Sequence, residues 1–206
     1  MENGWIYEKE AINEGFKVIC GVDEAGRGPL AGGVYAAAVI LSYGEDIESL
    51  DDSKSLTEKQ RDRLYDIIKE KAIDYHVATA TVEEIEEMNI LNAAMLAMRR
   101  AIEGLKVKPE FVLVDGNTTR GFIIPARAVV KGDSLSMSIA AASILAKVER
   151  DRYMLTLHEK YPEYCFDRHK GYATKLHYEM IEKYGICREH RISFLTKRYG
   201  NSIKKR

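Results

Sequence analysis

The chain has 206 residues, 46% of them hydrophobic, with 31 Lys+Arg against 32 Asp+Glu. That composition supplies one sizeable core and excludes wholesale disorder. The near-zero sum hides an asymmetry: residues 116–206 hold 18 basic and 9 acidic side chains, whereas the first 115 hold 13 and 23. A basic C-terminal half suits a polyanionic partner, although an unevenly solvated surface would read the same way. No apolar run approaches the roughly 20 residues that span a bilayer. Met1 to Trp5 lacks the basic-then-apolar pattern of a signal peptide. Three scattered cysteines, Cys20, Cys165 and Cys187, form no CxxC, which points to a reduced, cytoplasmic compartment.

In chain order, residues 1–16 read as a short helical prefix. Lys17 to Val22 reads as a buried strand. A glycine-rich turn joins it to a second apolar run, Val34 to Leu41. Residues 42–56 are polar and loop-like. The capping boxes Thr57-x-x-Gln60 and Thr81-x-x-Glu84 predict a helix over 58–71 and a short one after Thr81. Ile73 to Thr81 alternates as a third strand. Ile90 to Leu105 is rich in alanine and methionine and helical in pattern. Phe111 to Val114 is a fully apolar strand ending at Asp115, and Ala128 to Val130 a short fifth. A long helix is predicted from Ser134 to about Lys160. Met137, Ala141, Ile144, Val148 and Leu155 form its apolar stripe, and Pro162 stops it. A further helix is predicted over Ala173 to Tyr184, and the basic tail from Lys197 is expected to be mobile. The pattern is an α/β layer fold with a helical C-terminal extension.

Four carboxylates fall where strands or loops are expected to end: Asp23 and Glu24, then Asp115, then Asp133 before the long helix. Ligands gather at strand ends in open α/β sheets. If the first and fourth strands are neighbours, Asp23 and Asp115 lie within reach of one ion. Hard oxygen donors without histidine or cysteine favour Mg2+ or Mn2+ over zinc. Each acid has a plainer explanation. Asp133 suits a helix N-cap, Asp115-Gly116 an ordinary turn, and Glu24 a solvated strand end. Asp23, followed at once by glycines, is the hardest to dismiss. Gly26-Arg27-Gly28 lets backbone approach a ligand closely. Its GxGxxxG spacing with Gly32 is not that of a dinucleotide site, and no GxxxxGK[ST] occurs.

At these residues the chain resembles ribonuclease HII. Asp23-Glu24-Ala25-Gly26-Arg27-Gly28, Asp52-Ser53-Lys54 with Leu56-Thr57, and Val114-Asp115-Gly116-Asn117 match family signatures. So do Lys131-Gly132-Asp133, Ser138 to Ile144, Ala146 to Asp151, His169-Lys170-Gly171-Tyr172 and His190-Arg191-x-Ser193-Phe194. The likeness runs in family order over about residues 17 to 195.

The resemblance implies a ribonuclease H-like fold: a five-stranded mixed sheet flanked by helices, with a C-terminal helical region. It divides the chain into a prefix over 1–16, a catalytic domain over 17–160 and a region over 161–206 that completes the substrate site. It implies an endonuclease that cuts the RNA strand of RNA–DNA hybrids and incises 5′ of single ribonucleotides in duplex DNA, leaving 3′-hydroxyl and 5′-phosphate ends. Asp23, Glu24, Asp115 and Asp133 would be the catalytic, metal-binding acids, holding two Mg2+ or Mn2+ ions with substrate bound. Gly26, Arg27 and Gly28 would read the ribose 2′-hydroxyl, the group that separates RNA from DNA. Tyr172 would stack at the junction, and Ser53, Lys54 and Ser143 would hold phosphates.

Tyr172 could instead be only a packed ring with a satisfied hydroxyl. The chain departs from the family pattern at Cys165 and Ala173, where glycine is common, and both flank the Tyr172 loop. No sliding-clamp motif of the Gln-x-x-Leu-x-x-aromatic-aromatic kind is seen at the C-terminus, and a monomer is expected. Rivals are ribonuclease HIII, which normally carries a sizeable N-terminal domain; a junction resolvase, which lacks the Gly-Arg-Gly triplet; a nucleotide-binding dehydrogenase; and a catalytically dead hybrid-binding module.

Overall fold

Five strands form one mixed sheet in the order β3-β2-β1-β4-β5: β1 (Ile19–Ala25), β2 (Val34–Ile40), β3 (Asp74–Ala80), β4 (Phe111–Asp115) and β5 (Ala126–Val129). The computed structural model describes residues 4–48, 50 and 56–200. Ser53 and Lys54 lie outside these residues, as does the chain beyond residue 200. Strands β1 to β3 pair antiparallel, β2 and β3 across a connection that carries α2, whereas β4 and β5 run parallel to β1. The central strand β1 is buried on both faces, which its near-continuous apolar sequence requires.

The helices are α1 (Ile6–Asn13), α2 (Glu58–Lys71), α3 (Val82–Met88), α4 (Ile90–Glu103), α5 (Met137–Lys160), α6 (Phe166–His169), α7 (Lys175–Tyr184) and α8 (Ile192–Tyr199). Among the described residues, no helix is long and apolar enough to cross a membrane. Strand alternation sorts the side chains into two layers. Ala37 and Val39 pack with Leu64 and Ile68 of α2 and Ala141 and Ile144 of α5. Cys20, Val22, Ala36 and Ala38 pack with Ala94, Ala97 and Met98 of α4 on the other face. The same alternation turns Gly21 and Asp23 away from the α4 layer and toward α5.

Gly21 decides how closely α5 approaches. A Cβ there would lie 2.1 Å from the Ser138 carbonyl carbon and 2.3 Å from the Ile139 nitrogen. The first turn of α5 therefore rests on bare strand backbone. The buried Glu8 of α1 fixes that turn from the other side, accepting from Ser136 Oγ at 2.6 Å and Ser138 N at 3.0 Å.

Helix α2 has the bounds its capping box predicts, with both reciprocal hydrogen bonds formed. Several expectations need correction. Strand β1 continues to Ala25, so Asp23 and Glu24 lie within the strand rather than after it; antiparallel pairing with Tyr35 to Ala37 carries it on. Helix α5 begins at Met137 rather than Ser134, because residues 132–134 form a 3-10 turn and Ser136 is the cap, accepting from Ile139 N. Asp133 is therefore not its N-cap. Leu155 is exposed, and Met154 and Leu157 are buried instead, because the end of α5 packs on Tyr164 and Phe166 rather than on the sheet. Helix α7 starts at Lys175, capped by Thr174, and α8 extends to Tyr199, where a mobile tail was expected from Lys197.

Gly21→Ala is expected to cost at least about 3 kcal/mol, since the obstructing atoms are backbone and no rotamer relieves them. Urea unfolding would show it as a lowered midpoint with an unchanged slope.

Candidate active site

The register of β1 on β4 places Val22 beside Val114, which brings Asp23, within β1, next to Asp115 at the end of β4. Asp115 Oδ1 accepts from the Gly132 amide at 2.7 Å. That bond draws the 3-10 turn carrying Asp133 to the end of β4. Asp23 is buried, with 6% of its surface exposed. Its Oδ1 accepts from the Glu24 amide at 2.7 Å, and it hydrogen-bonds the Ser143 side chain of α5.

Burial raises the Asp23 carboxyl well above the usual carboxylate range, and the charges of Glu24 and Asp115 raise it further. Glu24 is also raised by burial, against a lowering hydrogen bond from Arg27, whose Nη1 lies 3.0 Å away. These acids offer only oxygen donors, the chemistry that suits a hard divalent cation. No three His, Cys, Asp or Glu side chains among the described residues already stand as a closed metal-holding group. The donors are assembled but not drawn together.

The glycine segment beside them is held from beneath by two fully buried arginines, Arg150 and Arg191. Arg191 donates to the carbonyls of Gly26 (2.7 Å), Arg27 (3.1 Å), Gly32 (2.6 Å) and Gly33 (3.2 Å). Arg150 donates to Ala31 O at 3.2 Å and Lys170 O at 3.1 Å. Gly26 has φ +99°, and a Cβ there would lie 2.2 Å from Arg150 Nε, so both the conformation and the arginine exclude a side chain. Burial lowers Arg191 to about 9, with Arg150 adding to it. Gly28 and the side chain of Arg27 face solvent.

Tyr172 is 41% exposed. Lys147 Nζ lies 5.7 Å and Arg150 Cζ 5.6 Å from its ring centroid, in range for cation–π attraction. The Leu30 amide donates to Gly171 O at 2.8 Å, tying this loop to the glycine segment. Cys165 has φ +56°. A glycine would hold that conformation without strain; the cysteine does so at a cost.

Residues 20–197 match the model of the ribonuclease HII family. The chain belongs to that family. A ribonuclease HII from Caldicellulosiruptor bescii is 53% identical over 194 residues, 94% of each chain. The crystal structure of ribonuclease H2 from Pyrococcus horikoshii OT3 is 30% identical, with a TM-score of 0.73 over 86% of this chain and 93% of that one. Bst-RNase HIII in complex with Mn2+ is 21% identical, with a TM-score of 0.60 over 69% of this chain and 55% of that one, a likeness of fold. The enzyme is thus an endoribonuclease of the ribonuclease H class. The family match also sets aside the dehydrogenase and resolvase alternatives.

Of the residues singled out from sequence, the structure brings together Asp23, Glu24, Asp115 and Ser143, with Asp133 next to the amide that anchors Asp115. Gly26 to Gly28 and Tyr172 form a second group, joined by Arg150. Arg150 and Arg191 lie inside quoted signatures, yet sequence alone gave them no role. No local signal marks Arg150, because the stretch from Ala146 to Met154 also carries Lys147, Glu149, Asp151 and Arg152.

Two outcomes are expected. Asp23→Asn should raise the melting temperature of metal-free protein. A carboxylate with a raised folded pKa stabilises below its unfolded value and loses that contribution as pH rises through the folded value. The gain should therefore be a few degrees at about pH 8 and shrink toward about pH 5, as thermal unfolding in EDTA would show. Arg191→Lys should lower cleavage at least about tenfold, because an ammonium cannot fork to four carbonyls. Binding to an all-DNA duplex should be unchanged in the same preparation.

Proposed function

We propose that the enzyme hydrolyses the RNA strand of RNA–DNA hybrids and incises 5′ of single ribonucleotides in duplex DNA, supporting ribonucleotide excision repair. The supporting observation is that Asp23 and Glu24, at the end of β1, pass within six residues into the arginine-clamped glycine segment. Asp23, Glu24, Asp115 and Asp133 would hold two Mg2+ or Mn2+ ions once substrate adds its own oxygens. The Mn2+ complex of the fold neighbour ribonuclease HIII is consistent with that pair of metals. When bound, such ions supply an oriented, more acidic water and charge stabilisation at the departing oxygen.

The residues do the rest. Ser143 and the Glu24 amide orient Asp23 through hydrogen bonds, and the Gly132 amide orients Asp115. Gly26, Arg27 and Gly28 present backbone to the ribose 2′-hydroxyl, with the Arg27 side chain left to neutralise Glu24. Tyr172 stacks on the sugar beyond the scissile phosphate and favours a deoxyribose there. Water attacks phosphorus, the P–O3′ bond breaks, and the products carry a 3′-hydroxyl and a 5′-phosphate.

The region over 161–206 completes the substrate site around the body over 17–160, and the prefix over 1–16 supports α5. Ser53 and Lys54 are proposed as further phosphate holders. The enzyme is proposed to act as a monomer in the cytoplasm.

A duplex with one embedded ribonucleotide, incubated with and without Mg2+, tests the reading. Cleavage 5′ of the ribonucleotide only with metal is expected. Asp23→Asn should lose at least about a thousandfold in rate yet still retard the duplex in a gel. Near-normal activity in that variant would overturn the metal assignment.

A further inference from the structure

Beneath Tyr172 lie three buried imidazoles, His169, His177 and His190, exposed by 7%, 0% and 2%. None contacts the acids, and the chemistry above gives them no part. The rings of His169 and His177 stack with centroids 4.2 Å apart. Phe166 closes the pocket, with its centroid 5.6 to 5.8 Å from all three.

Their partners fix the tautomers. His169 Nδ1 accepts from the Gly171 amide at 3.1 Å, so its proton sits on Nε2 and goes to Tyr164 O at 2.8 Å. His190 Nδ1 accepts from the Cys187 amide at 3.0 Å, so His190 donates from Nε2. The receiver is His177 Nε2 at 3.1 Å. His177 therefore carries its proton on Nδ1 and gives it to the carbonyl of Tyr172 at 2.9 Å. Every ring nitrogen is used, with one proton per ring. Burial agrees, holding His177 down to about 3 and His190 to about 4.

This chain of hydrogen bonds spans the two recognition segments. At one end His190 forms a β-bridge with Ala31, and the Arg191 amide next to it donates to Leu30 O at 2.7 Å. At the other end is the backbone of Tyr172. That backbone has no freedom left. Its amide donates to His169 O and its carbonyl accepts from Thr174 N, both at 2.8 Å. Lys170 before it sits at φ +48°, a conformation that a non-glycine residue holds only when its surroundings over-determine it.

We propose that His177, oriented by His190, is a positioning residue for substrate selection: its Nδ1–H sets the Tyr172 backbone so that the ring stands where the sugar beyond the cut is checked. This rests on the reading of Tyr172 given above. A neutral ring fits the task better than a lysine or arginine would. It supplies a donor on one side and an acceptor on the other without placing a charge under a loop that already has Lys147 and Arg150 beside its ring.

The test is a ratio of kcat/KM values, for a duplex with one ribonucleotide over a continuous RNA–DNA hybrid. The ratio cancels the concentration of folded enzyme, so partial loss of fold does not move it. His177→Phe keeps the ring volume and removes the donor; the ratio should fall about tenfold, as for a lost buried hydrogen bond. His177→Asn keeps an N–H near the Nδ1 position and should recover to within about threefold of the parent. Tyr172→Ala should lower the ratio at least as far as His177→Phe.

If Tyr172→Ala lowers the ratio and His177→Phe does not, the positioning role is overturned while the reading of Tyr172 stands. If His177→Asn falls as far as His177→Phe, restoring the donor does not restore selection, and the proposal is overturned. An unchanged ratio in Tyr172→Ala overturns the reading of Tyr172 and the proposal with it.

Discussion

Backbone-to-backbone contact between a strand and a helix is possible only where one of them has no side chain. Gly21 supplies that place on β1, and α5 settles onto it at Ser138 and Ile139. Once the helix is fixed there, its later residues fall against the rest of β1 and the segment beyond. Ser143 meets Asp23. Arg150 meets Gly26 and Ala31, and Met154 lies under Gly32. The acids, the glycine segment and the Tyr172 loop are thus all referred to one helix. An error in how α5 crosses the sheet would displace both halves of the site together.

The two halves use opposite electrostatics. On the acid side, the buried Asp23 is pushed up by the charges of Glu24 and Asp115, and Arg27 pairs with Glu24. On the recognition side, buried guanidinium groups give their protons to carbonyls, and imidazoles are held neutral. Stability is therefore concentrated under the recognition segments and withheld from the acids. Sites that must gain a ligand to function are commonly less stable than their surroundings in this way.

Much of this was legible in the sequence. Thr57 with Gln60 set the start of α2, and the apolar run 111–114 with a terminal acid gave β4 and the neighbour of Asp23. What escaped was set by tertiary contact. The start of α5 moved from Ser134 to Met137 because the Gly132 amide is taken by Asp115 and Ser136 becomes the cap. Leu155 left the core because α5 changes packing partner halfway along. The buried roles of Arg150, Arg191 and His177 have no local signature. Each is defined by carbonyls far away in the chain, and a sequence does not show which carbonyls will lack partners.

The arginine clamp has one more consequence. Arg191 and Arg150 grip main-chain oxygens at positions 26, 27, 31, 32, 33 and 170. A carbonyl is the one group that no point substitution deletes. The grip thus reads the path of the chain and ignores the side chains along it. Residue 27 enters the grip through its carbonyl alone, while its side chain turns to Glu24. The burden of invariance falls instead on the two arginines and on Gly26, which must leave room for one of them.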